Sequence, residues 1–236
     1  MALLTKVDYY NLGGSGWEVS DTSENRAVGY TAEAQGPDGF IVAVDAGGEN
    51  VAPQVNYVAT ADATLSGVVL GSVQTILTKK VALGGITITT QAGEAPTMTA
   101  TGSQIEDNGT AHCTCTLGSI SVSGLFHAQD FGLFTIANGQ LTSSTLAIEG
   151  NINTAMVDGV IKSSDLVGGK ITISGEVVGV SDAGAISTPT LTVGTPSGNV
   201  GTGTITQPLS QTNPNGDFPT YSFTVEFPLK ADVTTP

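Results

Sequence analysis

Apolar and hydroxyl-bearing residues alternate along much of this chain with a period of two. Ile86-Thr87-Ile88-Thr89-Thr90 shows the pattern, as do Met98-Thr99-Ala100-Thr101 and Ile171-Thr172-Ile173-Ser174. Leu191-Thr192-Val193 and Phe223-Thr224-Val225-Glu226-Phe227 repeat it. Dense Thr and Val favour extended backbone, because a branched Cβ packs well on a pleated surface. The alternation gives each strand one apolar face and one hydroxyl face, which suits antiparallel sheets with one side buried. Turn chemistry separates the runs: Pro37-Asp38-Gly39, Asp107-Asn108-Gly109, Asn138-Gly139, Asp158-Gly159 and Asn215-Gly216. Asx-Gly pairs supply the positive φ angles that hairpins need. Helix signals are confined to Ser163-Ser164-Asp165-Leu166-Val167 and to Val51–Val58, and both read equally well as strand or loop. The expectation is an all-β fold, an antiparallel β-sandwich or barrel with long loops and little helix.

Three segments depart from the pattern. Residues 1–25 include Asn11-Leu12-Gly13-Gly14-Ser15-Gly16-Trp17 and read as a turn-rich N-terminal arm carrying the single Trp, ahead of a body at 26–236. Residues 45–53 combine Asp45, Gly47, Gly48, Glu49 and Pro53 and read as an acidic loop. Residues 194–219, rich in Pro, Gly, Ser, Thr and Asn, read as a long loop or strand-edge excursion. Loops of that length usually have a function. An internal echo links Gly85-Ile86-Thr87-Ile88 with Pro96-Thr97-Met98-Thr99 to Gly169-Lys170-Ile171-Thr172 with Pro189-Thr190-Leu191-Thr192. It reads either as a duplication or as convergence among Thr-rich strands.

Composition narrows the field. With 236 residues the chain can bury a real core. Seven Lys and Arg stand against 21 Asp and Glu, a net charge of −14, and charged residues make up only 12%. That is too little charge and too much Val and Ile for a disordered acidic tail, and too few basic groups for a phosphate-gripping surface. No apolar run approaches the roughly 20 residues needed to span a bilayer as a helix. The start, Met1-Ala2-Leu3-Leu4-Thr5-Lys6, does not resemble a secretory signal. The expectation is cytoplasmic synthesis and no membrane partner.

Candidate chemistry is sparse. Cys113 and Cys115 lie one residue apart, on one face of a strand, with Cα atoms about 6.5 Å apart. That is near the upper limit for a disulfide. With His112 and His127 they fall short of a recognisable zinc spacing, so they read as reduced strand cysteines and no metal is assigned. Gly13–Glu18 and Asn213–Asp217 have calcium-loop flavour, but neither has the tandem repeat nor the distal Glu that such sites use. No Gly-x-Ser-x-Gly elbow is present. Pairs such as Glu33 with Asp38, or Glu149 with Asp158, would suit glycosidase work, but aromatics are only 6% and offer little stacking surface for a sugar. The chain is read as a non-enzyme without cofactor.

The acidic excess reads as solubility or, more sharply, as a surface that must not adhere to DNA. Here the sequence resembles a structural protein of a tailed-bacteriophage virion, most closely a tail-tube (major tail) protein. The resemblance rests on Leu77-Thr78-Lys79-Lys80-Val81-Ala82-Leu83-Gly84-Gly85-Ile86-Thr87-Ile88-Thr89, Ala92-Gly93-Glu94-Ala95-Pro96, Ser164-Asp165-Leu166-Val167-Gly168-Gly169-Lys170-Ile171-Thr172-Ile173-Ser174, and a closing strand from Tyr221 to Leu229. It implies hexameric rings stacked into a tube that conducts DNA without specific binding, assembled in the host cytoplasm together with other tail proteins. An N-terminal arm and a long loop would bridge the rings. Tyr9, Tyr10 and Trp17 are the expected inter-subunit contacts, and Asp45, Glu49, Glu94 and Asp107 the expected lumen carboxylates, the latter from their turn positions. The alternative is a tail-tip or capsid-surface adhesin or decoration protein that binds host glycan or capsid.

Overall fold

The computed structural model describes residues 10–37, 39–76, 78–106, 109, 115–122, 128–180, 184–212 and 218–230, with the backbone alone at 24, 26–31, 42, 45–50 and 61. In chain order the strands are β1 (Gly14–Gln35), β2 (Ile41–Leu65), β3 (Val69–Leu70), β4 (Val73–Ile76), β5 (Lys79–Gln91), β6 (Thr97–Ile105) and β7 (Cys115–Thr116). They continue with β8 (Ile120–Val122), β9 (Phe134–Ala137), β10 (Gln140–Val157), β11 (Val160–Val178), β12 (Thr190–Val193), β13 (Thr204–Gln211) and β14 (Thr220–Leu229). The all-β reading holds. Among the described residues there is no helix, and both helix-ambiguous segments lie on strands, β11 and β2.

One antiparallel sheet dominates, in the order β1-β2-β6-β5-β10-β11-β14-β13, with β4 beside β5 and β8 beside β2. Its inner face is built from rows that run across the strands. Val55, Ala100, Ile86, Ile148, Ile171 and Phe227 are successive register partners, and all are fully buried. Tyr57, Met98, Ile88, Leu146, Ile173 and Val225 form the next row. These are the apolar halves of the alternating runs, and register is strongly specified because a one-residue slip would turn every such side chain to water. A second, irregular layer covers them: the ribbons β3–β7 and β9–β12, together with Leu117, Phe131, Leu133 and Val200. Phe134 of β9 stacks on Phe223 of β14, ring centroids 5.1 Å apart and tilted.

A third row is polar. Thr90 and Ser144 are register partners, both 1% exposed, with hydroxyls 2.8 Å apart. The Gln129 N–H donates to both hydroxyls, and the Ser144 hydroxyl donates to the Gln129 carbonyl at 2.6 Å. The pair fastens the segment leading into β9 to the sheet, satisfying backbone groups that would otherwise be buried unpaired.

The Asx-Gly hairpin reading holds at Asp158-Gly159 but not at Asn138-Gly139, which joins β9 to β10, strands that do not pair with each other. Asp158 and Gly159 join β10 to β11 with φ of 51° and 73°, the two positive values of a type I′ turn. Asn138 also lies at φ 58°, before β10. Asp107, Asn108, Asn215 and Gly216 lie outside the described residues.

Two organisational expectations need correction, while the strand-edge reading of 194–219 fits its border strand β13. From Tyr10 onward there is no detached arm. Residues 14–25 are the first half of β1, paired to β2, because Gly14 and Gly16 let that strand lie against Thr64 and Ala63. Residues 45–53 are strand, not loop: Asp45 pairs with Ala32, Glu49 with Val28 and Pro53 with Glu24, so ladder pairing overrides the local Gly-Gly turn chemistry. The 194–219 stretch contains β13, paired to β14 with two register shifts. Topology also argues against the duplication, since the Thr97 strand pairs with β5 whereas the Thr190 strand leaves the main sheet for β9.

Candidate assembly surface

Beyond its contact with β6, the β1–β2 hairpin carries on as a two-stranded ribbon. β2 pairs with β6 only over Gln54–Val58 and with β8 over Ala63–Leu65, while β1 and β2 remain paired from Arg26↔Val51 to Gln35↔Ile41. Nine residue steps of strand extend the ribbon about 30 Å. Its tip carries Phe40, Ile41 and Val44 at 73%, 51% and 63% exposure. Ile41 pairs with Gln35 and Val44 with Glu33, and the register irregularity at Val42 between them puts both apolar residues on one face. Every described side chain from Ala32 to Val44 is exposed, apart from the half-exposed Gly36. A lone two-stranded hairpin is marginal in water, and this one adds uncovered apolar surface.

These residues were missed in the sequence reading, although a signal was present. Phe40-Ile41-Val42-Ala43-Val44 is the longest apolar run in the chain and directly follows the Pro37-Asp38-Gly39 turn.

The expected contact residues behave differently. Tyr9 lies outside the described residues. Tyr10 is 2% exposed; its backbone N–H donates to the Tyr57 hydroxyl at 2.9 Å, and its own hydroxyl donates to the Pro53 carbonyl at 3.0 Å. A Cβ on Gly102 would stand 2.6 Å from that hydroxyl, so the ring's seat depends on a glycine. Burial, and secondarily the neighbouring Tyr57, push the Tyr10 phenol above its ordinary range. Trp17 packs half-buried against the core, and its Nε1–H donates to the Thr64 carbonyl at 3.0 Å. Tyr10 and Trp17 are thus each held by partners within the chain, Pro53, Tyr57 and Thr64.

The outer face of the sheet is hydroxylic. Thr99, Thr87, Ala147, Thr172 and Glu226 form one row, and Thr97, Thr89, Thr145, Ser174 and Thr224 the next. Its charged groups include Glu149, Glu176, Glu226 and Lys170. The Lys170 ammonium donates to Glu226 at 2.7 Å, and this bond raises its pKa. Of the expected lumen carboxylates, Glu94 is exposed in the β5–β6 turn, Asp45 and Glu49 are on β2, and Asp107 lies outside the described residues. Strand parity places Glu149, Glu176 and Glu226 on the outer face, a grouping that becomes readable once the register is known.

Cys115 is buried on β7, its thiol 3.2 Å from the Lys230 carbonyl, while Cys113, His112 and His127 lie outside the described residues. A cleft of about 580 Å³, lined by Asn11, Leu12, Ser72, Gln74 and Leu83 among others, carries no ionisable side chain among the described residues. The sheet's two borders differ. Both carry register shifts, but β13 is also interrupted by Pro208, a device that blunts an edge. β1 offers 22 residues without proline. No known protein family matches the chain, and no curated protein matches it.

Proposed function

We propose that this protein is a non-enzymatic, self-assembling structural protein whose copies join into stacked rings, in the manner of a phage tail tube. The observation that carries the reading is the β1–β2 ribbon, whose tip exposes Phe40, Ile41 and Val44 to solvent. A partner surface would remove Phe40, Ile41 and Val44 from water, at about 25 cal/mol for each Å² buried, and would support a ribbon that cannot support itself. The long β1 border adds an extended edge open to pairing with another chain.

The hydroxyl-rich outer face suits the wall of a bore. Its three glutamates outnumber its lysine, and that lysine is already held by Glu226. Such a wall repels phosphates and adds no counterion-release affinity, so a duplex slides past without binding. In this reading Glu149, Glu176 and Glu226 line the lumen.

Negative-stain imaging of the purified protein tests the proposal, with wild type compared against Phe40→Ser/Val44→Ser. Rings or hollow tubes are expected for wild type, and dispersed single particles for the variant. A wild type that stays monomeric at high concentration overturns the reading.

A further inference from the structure

A second hairpin outruns its neighbours. β10 pairs with β5 over Ser143–Glu149 and β11 with β14 over Gly169–Val178, so beyond Gly150 the β10–β11 hairpin goes on without either flanking strand. Its two strands are covered unequally. On β11, Ser164 and Leu166 are buried, and the Ile161 carbonyl accepts from the Glu106 N–H at 2.9 Å. On β10, every side chain from Asn153 to Val157 is exposed, Met156 at 48% and Val157 at 52%. The outward edge of Asn151–Val157 has no backbone partner among the described residues.

Natural sheets guard such an edge with charge, proline or a bulge. This one has none of them. Residues 150–157 hold no charged side chain and no proline, in a chain of net charge −14. Both register irregularities beyond Gly150 put the extra residue on β11, at Val167 and Lys162, so β10 itself runs regular. Because β11 is anchored, the strand beside it is presented to a partner at little further ordering cost.

We infer that Asn151–Val157 pairs antiparallel with the same segment of a second copy, about a two-fold axis at Thr154. In that register Ile152 lies opposite Met156 as an apolar cross-strand pair, Asn153 lies opposite Ala155, and Thr154 meets itself. Glu149 and Asp158, the first acidic residues on either side, face Gly159 and Gly150, so no carboxylate stands directly opposite another. Copies this acidic repel one another over most of their surface, and an uncharged edge is where they meet at least cost. The inference does not rest on the stacked-ring reading, whose contact is the β1–β2 ribbon. A two-fold contact closes on itself and adds one partner only.

The test is sedimentation velocity over a range of protein concentrations. It uses Phe40→Ser/Val44→Ser as the parent, so that pairing is read apart from ring formation, with circular dichroism to confirm that each variant folds. The parent is expected to show a monomer–dimer equilibrium. Thr154→Lys and Thr154→Glu each set like charges opposite one another and are expected to weaken dimerisation about five- to tenfold. Mixing the two variants sets Lys against Glu and is expected to restore it, which only a contact centred on this residue would do. Variants that dimerise like the parent, a loss that mixing does not repair, or a parent that stays monomeric at every concentration overturns the inference. Wild-type rings beside a monomeric parent leave self-assembly standing and remove only this contact. Dimers of the parent without wild-type rings do the reverse.

Discussion

The sheet body and the β1–β2 ribbon are built from the same kind of residue and end in opposite environments. Ile148 in the body has register partners on both sides, Ile86 and Ile171, and a second layer above it, and it is fully buried. Val44 in the ribbon has one register partner, Glu33, and is 63% exposed. Alternation and β-propensity are alike in both. What differs is the number of flanking strands, so burial here belongs to topology and not to the residue.

The sharpest test of that contrast is a pair of truncations. Ile148→Ala should cost about 2–5 kcal/mol in urea unfolding, since it leaves a cavity in a row that cannot collapse. Val44→Ala should change monomer stability by no more than about 0.5 kcal/mol, while weakening association. A comparable stability loss at both sites would mean that the ribbon is packed within its own chain.

A smaller effect is expected at the polar row. Ser144→Ala removes the donor to the Gln129 carbonyl and one acceptor of its N–H, and should cost about 1–3 kcal/mol. Hydrogen exchange at residues 128–133 should rise by more than it does in β5 or β14. Uniform acceleration would show that the hydroxyl pair does not fasten that segment.

The least effect is a pH dependence. The Tyr10 phenol is raised in the folded state, so its contribution is fully present below the unfolded tyrosine pKa of about 10 and is lost as pH rises beyond it. Stability should fall in alkaline solution, and Tyr10→Phe should flatten that fall while losing the bond to Pro53. An unchanged alkaline slope in the variant would place the titrating group elsewhere.

How far the sequence could be read follows the same division. The body was legible because Ile86-Thr87-Ile88 and Phe223-Thr224-Val225 carry a clean period of two, and because Asp158-Gly159 has the φ values its composition demands. Three things were not. Gly47-Gly48 looked like a turn, but a facing strand held it extended. Tyr10 and Trp17 looked available, but their partners Pro53, Tyr57 and Thr64 lie some 40 residues away in the chain and local pattern does not reveal them. The outer-face glutamates needed the register before they could be grouped. A five-residue apolar run after a turn was the one plain sign of the ribbon.

The number of strands in the main path has a consequence of its own. Eight strands joined by seven antiparallel steps give borders that run in opposite senses, β1 one way and β13 the other. Under the proposed self-association, two copies standing upright side by side would bring unlike borders together as an antiparallel couple, and every later copy could be added by the same rotation. An odd count would have offered parallel borders or forced each second molecule to invert.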